Sequence, residues 1–327
     1  MDRSVFARNL APAAALFAAL AATPWAADDY GLSFATGLLI WIALAESWVI
    51  LSGYAGYVSL GHAAFVGIGA YAVVLTWGVL PFWLGLLLGG AAGAALAAVV
   101  GIPCLRVRGP YFVILTLAVS EFVKYVVVNI EARLGSFGRL LMGQPEALTL
   151  FHTAWLLALL AFLGAWGIRR SRLGIGLRAI RENEIAAEMT GVRVGLLKSV
   201  AYVLSAIAPA LAGGLMVART GYFEPATIFS PQISLTIIAM CAAGGSDGPW
   251  GPLLGALLLT ILSELLRDAA PQLYLIILGM LLVFFTLKMP GGLSAWLAGA
   301  GTRLRTWWRA RRPARARLPR SHRRVAR

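Results

Sequence analysis

Charged residues are scarce in this chain of 327 residues. Only 13% of the residues are Asp, Glu, Lys or Arg, whereas 60% are hydrophobic. Soluble domains contain about 25% charged and about 45–50% apolar residues. Apolar runs that approach the ~20 residues needed to cross a bilayer recur from end to end. The composition therefore predicts an all-α polytopic membrane protein without a soluble catalytic domain.

Cysteine and histidine are also rare, and the sequence contains no GxxxxGK[ST] phosphate-binding loop. Cys104 and Cys241 lie in apolar runs without a CxxC motif or a nearby histidine, which is typical of small buried side chains. We find no His, Cys or carboxylate cluster with catalytic spacing, which argues against a membrane enzyme. We therefore expect no metal and no cofactor in this chain, and no ATP hydrolysis by it.

The net charge of +14 is concentrated in two places. Of the 28 Lys and Arg residues, eleven lie between Arg303 and Arg327 and seven lie between Arg169 and Lys198. Basic residues beside membrane segments mark cytoplasmic loops and attract anionic lipid headgroups. We interpret the charge as a sign of topology and lipid contact, and we expect no nucleic-acid partner.

Ten apolar segments are candidate transmembrane helices. The first, Leu10 to Ala22, suits either a cleaved signal peptide or a membrane helix. With it included, about ten spans place both termini and the basic loops in the cytoplasm, as the positive-inside rule requires. The other nine spans are predicted at 32–52, 62–80, 82–104, 111–130, 153–168, 199–218, 231–243, 250–267 and 271–288.

The sequence predicts one transmembrane domain, residues 1–302, with a cytoplasmic loop at 169–198. A basic cytoplasmic tail at 303–327 is expected to be disordered. Two glycine-rich turns, GYAG at 53–56 and GGSDGPWG at 244–251, each separate an inward helix from an outward one. This faint similarity indicates a parallel internal repeat of the kind that transporters use.

The stretch GYAGYVSLGHAAFVGIGAY, residues 53–71, places five glycines in an otherwise apolar region. Irregular backbone at membrane depth is tolerated only where it is buried in protein or lines a water-filled cavity, so it indicates the translocation path. The alternative is that the glycines only allow tight helix packing, with His62 as an ordinary helix cap. The residues predicted to line the path are Glu46, Ser52, Gly53, Gly56, Ser59 and His62.

Three carboxylates fall within predicted spans, where ionisable groups are costly and usually face the bundle interior. Glu121 can pair with Lys124, and Glu264 can pair with Arg267, because each pair is three residues apart on a helix. Such pairs are mostly structural. Glu46 has no close sequence partner, which is why it is the carboxylate predicted to line the path.

The loop SRLGIGLRAIRENEIAAEMTGVRVGLLKS, residues 171–199, has an amphipathic helical rhythm. A helix outside the bilayer with an apolar face needs a partner, or else it lies on lipid headgroups. The apolar face is predicted to contain Leu177, Ile180, Ile185, Ala186, Met189 and Val192, with the charged residues largely opposite.

This loop resembles the EAA-like coupling loop of ABC importer permeases, which docks on a separate ATPase subunit. Ala186, Ala187 and Gly191 have the spacing of that motif, although Ile185 stands where glutamate is usual. LRAIRENEIAAEMTGV is similar to the branched-chain amino acid permeases of the LivH/LivM family, LivM type. GYAGYVSLGHAAF, LRVRGPYFVILTLAVSEFVK and GGSDGPWGPLLGA resemble further blocks of that family in its order, over about residues 50–270.

The resemblance implies an inner-membrane permease subunit that imports branched-chain amino acids or a related small polar solute. The implied partners are a LivH-like permease, two ATPase subunits that use ATP, and a periplasmic binding protein. The external loop ARLGSFGRLLMGQPEA lacks the glycine cluster common in relatives, so the solute stays open. The alternative is an ATP-independent secondary transporter or channel for urea or amino acids. The coupling residues implied are Arg178, Arg181, Glu182, Asn183, Glu184, Ala186, Ala187 and Gly191.

Overall fold

The computed structural model describes residues 3–136, 138–269, 276, 277, 279, 280, 283 and 291–296. Most of these residues are helical, as the composition predicted. The predicted tail at 303–327 and most of the predicted span at 271–288 lie outside the described residues. Within the described part the helices are α1 (Arg3–Ala21), α2 (Thr23–Ala26), α3 (Asp29–Trp48), α4 (His62–Thr76), α5 (Phe82–Cys104), α6 (Pro110–Arg133), α7 (Ala147–Arg170), α8 (Arg172–Glu182), α9 (Glu184–Met189), α10 (Val194–Thr220), α11 (Pro225–Ile228), α12 (Pro231–Gly244) and α13 (Trp250–Ala269).

Local sequence signals set several helix boundaries. Asp28 caps α3 by accepting a hydrogen bond from the backbone amide of Gly31, and Ser230 caps α12 in the same way with Gln232. Side-chain oxygens at these positions satisfy amides that have no partner within the helix. Helix α10 ends at Gly221, which has a φ of 67°, a left-handed conformation that glycine adopts without strain.

Helix α10 lies at the centre of the bundle, in contact with α3, α4, α5 and α7. Its approach to α4 depends on glycine on both helices. A Cβ at Gly69 would collide with the carbonyl group of Ala210, and a Cβ at Gly213 would collide with the carbonyl group of Val66. Small residues let membrane helices approach closely enough for backbone contact. Tight packing is therefore one role of the glycines that follow residue 61.

Helix α3 is buried along most of its length and packs against α7, α10, α12 and α13. Helices α5 and α6 are different, because large apolar side chains such as Leu87, Ile114 and Phe122 are exposed on them. Exposed apolar faces on long helices suit contact with lipid. The bundle thus has a protein-packed interior around α3 and α10 and an apolar outer surface.

Six helical segments among the described residues are long and apolar enough to cross a membrane. Three shorter apolar helices, Pro12–Ala21, His62–Thr76 and Trp250–Leu266, accompany them. The predicted total of about ten spans and the internal repeat therefore stay predictions. The six long segments are Asp29–Gly53, Phe82–Cys104, Pro110–Arg133, Ala147–Arg170, Val194–Thr220 and Pro225–Gly244.

The last of these segments is broken. Phe229 and Ser230 interrupt it between α11 and α12, and the ring of Phe229 packs where a Cβ of Gly67 would otherwise lie. Just before the break, a two-residue strand β2 (Tyr222–Phe223) pairs antiparallel with β1 (Arg139–Leu140). The strands are the one departure from the all-α prediction within the described residues.

Candidate functional site

The 53–61 segment, Gly53 to Gly61, lies between α3 and α4. Tyr54 and Ala55 are still helical, and residues 56–61 have no regular structure. Helix α3 ends in a π-helical turn at Val49–Gly53, and Gly56 has a φ of 77°. Gly53 is so crowded that a Cβ there would lie 2.5 Å from the carbonyl oxygen of Ser246 and would collide with Val49. A side chain is thus excluded at Gly53 by packing and disfavoured at Gly56 by backbone conformation.

Side chains from both flanks satisfy the backbone of this segment. The Ser52 hydroxyl donates to the Tyr57 carbonyl at 2.9 Å and accepts from the Ser59 amide at 3.3 Å. The Trp48 indole donates to the Ser59 carbonyl at 3.0 Å. On the α12 side, Ser234 donates to the Leu60 carbonyl at 2.8 Å. Irregular backbone in a membrane needs such partners.

Five of the six predicted path residues are buried, and only Gly56 is exposed. The Ser52 hydroxyl bonds to the backbone of Tyr57 and Ser59, and the Ser59 hydroxyl accepts from the Gly61 amide at 3.2 Å, so both hydroxyls are used within the chain. His62 is the first residue of α4, but its ring makes no capping hydrogen bond. Gly61 is the N-cap residue of α4, so His62 lies one position after the cap and does not act as one. The structure therefore leaves the path assignment a prediction.

His62 and Glu46 are fully buried polar side chains. Neither His62 ring nitrogen nor either Glu46 oxygen has a hydrogen-bond partner of normal geometry among the described residues. The backbone of Leu253, in the first turn of α13, is the polar group that interacts with the Glu46 carboxylate. Each buried polar group without a full hydrogen bond costs stability. The fold tolerates both groups in its interior.

The 171–199 segment contains two short helices, α8 and α9, rather than the one amphipathic helix that its pattern predicted, and residues 194–199 already belong to α10. Ser171 caps α8, and Asn183 breaks the run and caps α9 by accepting from the Ala186 amide at 3.1 Å. After α9 the chain turns at Gly191, whose φ is 86°. Asn and Ser side chains compete for backbone groups in this way, which is why they favour caps over helix interiors.

The break at Asn183 divides the predicted apolar face into two. Leu177 and Ile180 on α8 are buried against the bundle. Ile185 and Met189 on α9 point outward and are 61% and 86% exposed. Of the motif alanines, Ala187 is buried and Ala186 is exposed. Helix α9 therefore offers two exposed apolar side chains to a partner, and Ile175 on α8 is a third. Glu182 and Arg178 on α8 are exposed charges of the same segment.

Glu184 is the first residue of α9, and its carboxylate turns inward. Oε1 accepts from Lys198 Nζ at 2.7 Å, and Oε2 accepts from the Tyr57 hydroxyl at 2.5 Å. Lys198 also donates to the Tyr57 hydroxyl at 3.0 Å, and Arg108 lies 3.3 Å from Oε1. The side chains of Glu184 and Lys198 are 11% and 5% exposed. A largely buried ion pair thus joins the start of α9 to the start of α10, and the Tyr57 hydroxyl of the 53–61 segment bonds to both of its members.

Electrostatics favour the charged form of Glu184. Burial raises the pKa of this carboxyl, but the hydrogen bonds from Lys198 and Tyr57 and the charges of Lys198 and Arg108 outweigh burial, so its pKa lies below the ordinary 4.5. Burial and the hydrogen bond to Glu184 raise the pKa of Tyr57. Glu184 is therefore a carboxylate, and Tyr57 donates to it, at neutral pH.

Arg181 makes a second connection between the same two segments. Its guanidinium donates to the Gly53 carbonyl at 2.7 Å and to the Asp247 carboxylate at 2.9 Å. Arg178 instead donates to the Arg169 carbonyl, within its own loop, at 3.0 Å. Two residues implied by the resemblance as coupling residues, Arg181 and Glu184, thus contact this chain's own glycine-rich segment.

A cleft of about 620 Å³ opens beside these contacts. Its wall combines the 53–61 segment, the turn between α5 and α6, and α8 with the start of α9. Charged and apolar groups share the lining. The residues that line it are Ala55, Gly56, Tyr57, Val58, Arg108, Gly109, Pro110, Val113, Ile114, Ile180, Arg181 and Glu184.

The far end of the bundle carries two neighbouring cavities. The larger, about 570 Å³, lies between the break in the α11–α12 segment and the end of α10, and Glu224 lines it. The smaller, about 140 Å³, contains Arg219 and Glu264. Trp41 and Thr236 line both cavities. Polar and charged side chains thus lie at both ends of the bundle.

The predicted pair of Glu121 and Lys124 is confirmed, with 3.2 Å between the carboxylate and the ammonium. Glu264 accepts from the Tyr30 hydroxyl at 2.5 Å. The side chain of Arg267, its predicted partner, lies outside the described residues. Both carboxylates have structural contacts, so neither stands out as a path residue.

The described residues contain no group of three or more His, Cys, Asp or Glu side chains that could hold a metal ion. Cys104 and Cys241 are both buried and free. Cys241 lies next to the α3 backbone, with its sulfur 3.5 Å from the Ala45 carbonyl oxygen. This placement agrees with the interpretation of both cysteines as small packing residues.

Sequence reasoning missed Lys198, Arg108 and Asp247 as members of the site. Lys198 and Arg108 were counted only as basic residues that report topology, and Asp247 was treated as part of a glycine-rich turn. Their partners lie far along the chain, since Arg181 and Asp247 are 66 positions apart. One signal was present, because Lys198 occurs at the start of an otherwise apolar helix.

These features define a class of protein: a multi-pass helical membrane protein with a short helical loop packed on a glycine-rich break. Comparison with known proteins identifies the family. The family model described as "Branched-chain amino acid transport system / permease component" matches residues 31–286. The chain therefore belongs to this family of ABC transporter permeases.

Individual relatives agree with this assignment. LivM, the high-affinity branched-chain amino acid permease protein, is 28% identical in Salmonella typhimurium and 29% identical in Escherichia coli K12 over 313 residues. Both alignments cover 85% of this chain and 73% of LivM. The ribose import permease RbsC of E. coli K12 is 27% identical over 188 residues, 53% of this chain and 58% of RbsC. No solved structure matches the chain significantly.

Proposed function

We propose that this chain is the permease subunit of an ATP-driven importer for branched-chain amino acids or a closely related small polar solute. In this proposal the chain pairs with a homologous LivH-like permease and receives solute from a periplasmic binding protein. Two separate ATPase subunits bind and hydrolyse the ATP, and this chain binds no cofactor. It lies in the bacterial inner membrane with both termini in the cytoplasm.

The likeness to LivM is the observation that carries the proposal. It extends over 85% of this chain, whereas the likeness to the ribose permease extends over 53%. The family model matches residues 31–286, which contain or overlap all six long helical segments, and this supports a shared transport architecture. The shorter likeness to the ribose permease supports only a shared core. Branched-chain amino acids are therefore the first solutes to test, and sugars are the comparison.

The 171–199 segment supports an ATPase partner. Ile185 and Met189 are exposed apolar side chains on α9, outside the long spans, and charged residues surround them. An apolar anchor within a polar rim is typical of a protein–protein interface. In the proposal α9 docks on an ATPase subunit, with Glu182 and Arg178 at the rim, while the tail at 303–327 contacts anionic lipid.

Solute-stimulated ATP hydrolysis tests this function. The complex of this chain with its neighbouring permease, the ATPases and the binding protein would be reconstituted in vesicles and screened with leucine, isoleucine, valine, other amino acids, urea, short amides and ribose. We expect stimulation by branched-chain amino acids. Stimulation by ribose or urea alone would show that this compound, rather than a branched-chain amino acid, is the solute. The absence of any stimulation would contradict an ATP-driven importer.

A secondary transporter or channel that needs no ATPase is the second candidate, and one observation favours it. Glu46 is a fully buried carboxylate without a normal hydrogen bond among the described residues, and intramembrane carboxylates often carry protons in transport. Solute flux that persists in vesicles without the ATPases and that follows a proton gradient would support this candidate.

A further inference from the structure

Two residues close to Asn183, one on each side of it, connect the 171–199 segment to the glycine-rich 53–61 segment. On the α8 side, Arg181 donates to the carbonyl of Gly53. On the α9 side, Glu184 accepts from the hydroxyl of Tyr57. Arg181 and Glu184 therefore hold Gly53 and Tyr57, two points of the 53–61 segment that are only four residues apart.

The Glu184 contact is the stronger of the two by its surroundings. Lys198 bonds to both Glu184 and Tyr57 and also donates to the Leu105 carbonyl at 3.2 Å. Four elements therefore meet at one ammonium: the start of α9, the start of α10, the 53–61 segment and the end of α5. Because Glu184 and Lys198 are almost excluded from water, loss of one partner would leave an uncompensated buried charge.

The 53–61 segment can transmit a displacement at Tyr57 in both directions. The Tyr57 carbonyl accepts from Ser52 at the end of α3. Toward α4, the Leu60 amide donates to Thr116 on α6, and Ser234 on α12 bonds to the Leu60 carbonyl. A shift of Tyr57 would therefore change the contacts of α3, α4, α6 and α12. Helix α12 is the second half of the broken α11–α12 segment.

We propose that the Glu184–Tyr57–Lys198 contact makes the 171–199 segment and the 53–61 segment move as one unit, so that Glu184 is a positioning residue for transport. The proposal rests on the function proposed above, because the ATPases supply the displacement. Glu184 then acts inside the permease, whereas Ile185 and Met189 on the outer side of α9 meet the ATPase. Loss of the contact uncouples ATP hydrolysis from solute movement without removing the docking surface.

Transport per ATP hydrolysed is the first test, in the reconstituted full complex with leucine. Tyr57→Phe removes only the hydroxyl, and Glu184→Gln removes only the charge. We expect ATP hydrolysis to persist and leucine imported per ATP to fall about tenfold, the size of a typical coupling between sites. This ratio is taken per ATP, so a lower yield of complex does not change it. Tyr111→Phe, which removes the hydroxyl of an exposed tyrosine at the start of α6, is the matched control and should keep the wild-type ratio.

Hydrogen exchange of the permease pair without nucleotide is the second test, and it does not depend on the solute. We expect Glu184→Gln to speed amide exchange at residues 54–61, about 125 positions away in sequence, about tenfold, and Tyr111→Phe to leave it unchanged. Unchanged exchange at 54–61 would overturn the link even if import is confirmed. If Glu184→Gln speeds exchange at 54–61 but the wild-type complex shows no ATP-driven import, the proposed function is rejected. The mechanical link between the two segments then still stands.

Discussion

The backbone carbonyl of Ala210 occupies the place that a Cβ on Gly69 would need. Helices α4 and α10 can therefore pack this closely at the centre of the bundle only because residue 69 has no side chain. Overpacking such a contact typically costs about 1–3 kcal/mol. We expect Gly69→Ala to destabilise the permease by about this amount, measured from the thermal unfolding of the detergent-solubilised protein.

Gly164 in α7 is the matched control for this substitution. No atom lies within 4 Å of the position that its Cβ would take. Because alanine favours a helix over glycine by roughly 0.5–1 kcal/mol, Gly164→Ala should leave the unfolding temperature unchanged or raise it slightly. Equal destabilisation by both substitutions would show that the α4–α10 contact does not depend on glycine at position 69.

Gly191 tests backbone conformation rather than space. Its φ is 86°, and nothing lies within 4 Å of a Cβ there, so a substitution would strain the chain without a clash. A left-handed conformation costs an ordinary L residue roughly 1–2 kcal/mol, and asparagine tolerates it better than valine does. We expect Gly191→Val to reduce co-purification of the ATPases and to abolish transport, while the permease stays folded in the membrane.

Gly191→Asn separates the two explanations for that loss. It adds a side chain of similar size at the same exposed place, but with less backbone strain. Recovery of ATPases at near wild-type yield with Asn would assign the loss with Val to backbone conformation. Equal loss with both residues would show that the ATPase needs the space next to Gly191, and normal yield with both would contradict a docking role for this turn.

The sequence predicted the helical class and the bounds of most long helices. It could do so because a long apolar run depends on one property, the burial of apolar surface in lipid or protein, which hydropathy measures directly. It placed the segment at 82–104 where α5 lies, and the segment at 111–130 within α6. It also identified both connected loops. Its spans at 62–80 and 231–243 correspond to α4 and to α12, which are short helices. Hydropathy alone does not distinguish a short buried helix from a complete span.

The side-chain partners could not be predicted, because they depend on three-dimensional proximity between distant positions. The helical rhythm of residues 171–199 predicted that Arg181 and Glu184 lie largely opposite the apolar face of one helix. In the structure Asn183 breaks the helix, and both charges turn toward the 53–61 segment. A capping conformation of Asn and continuation of the helix differ little in free energy, so tertiary contacts decide between them. Glu121 and Lys124 were predictable because i,i+3 partners share one helix face.

Glu184 predicts a pH dependence of stability. Its folded pKa lies below the ordinary 4.5, so the carboxyl binds a proton more readily in the unfolded chain than in the folded one. The stabilisation from its contacts is therefore fully present above pH 4.5 and is lost as the pH falls through the lower folded pKa. We expect the unfolding temperatures of the wild type and Glu184→Gln to differ by a constant amount above pH 4.5 and to converge in more acidic buffer.

Glu188→Gln provides the control for this titration. Glu188 is an exposed carboxylate on the same helix, so its substitution should shift the unfolding temperature little at any pH. A difference between wild type and Glu184→Gln that widens in acid would reverse the sign and would show that burial, rather than Lys198 and Tyr57, dominates at Glu184.

Glu46 decides between the importer and a proton-linked transporter. Its carboxylate is fully buried between α3 and the start of α13, and it lines none of the three cavities described above. Glu46→Gln keeps the shape and removes the ionisable group, so in an ATP-driven importer leucine uptake should stay ATP-dependent and within about twofold of the wild-type rate. Glu121→Gln, which breaks a partly exposed ion pair, should behave in the same way. If Glu46→Gln alone abolishes uptake while the protein stays folded and assembled, protonation of Glu46 is part of the transport cycle, and the proton-linked alternative is favoured.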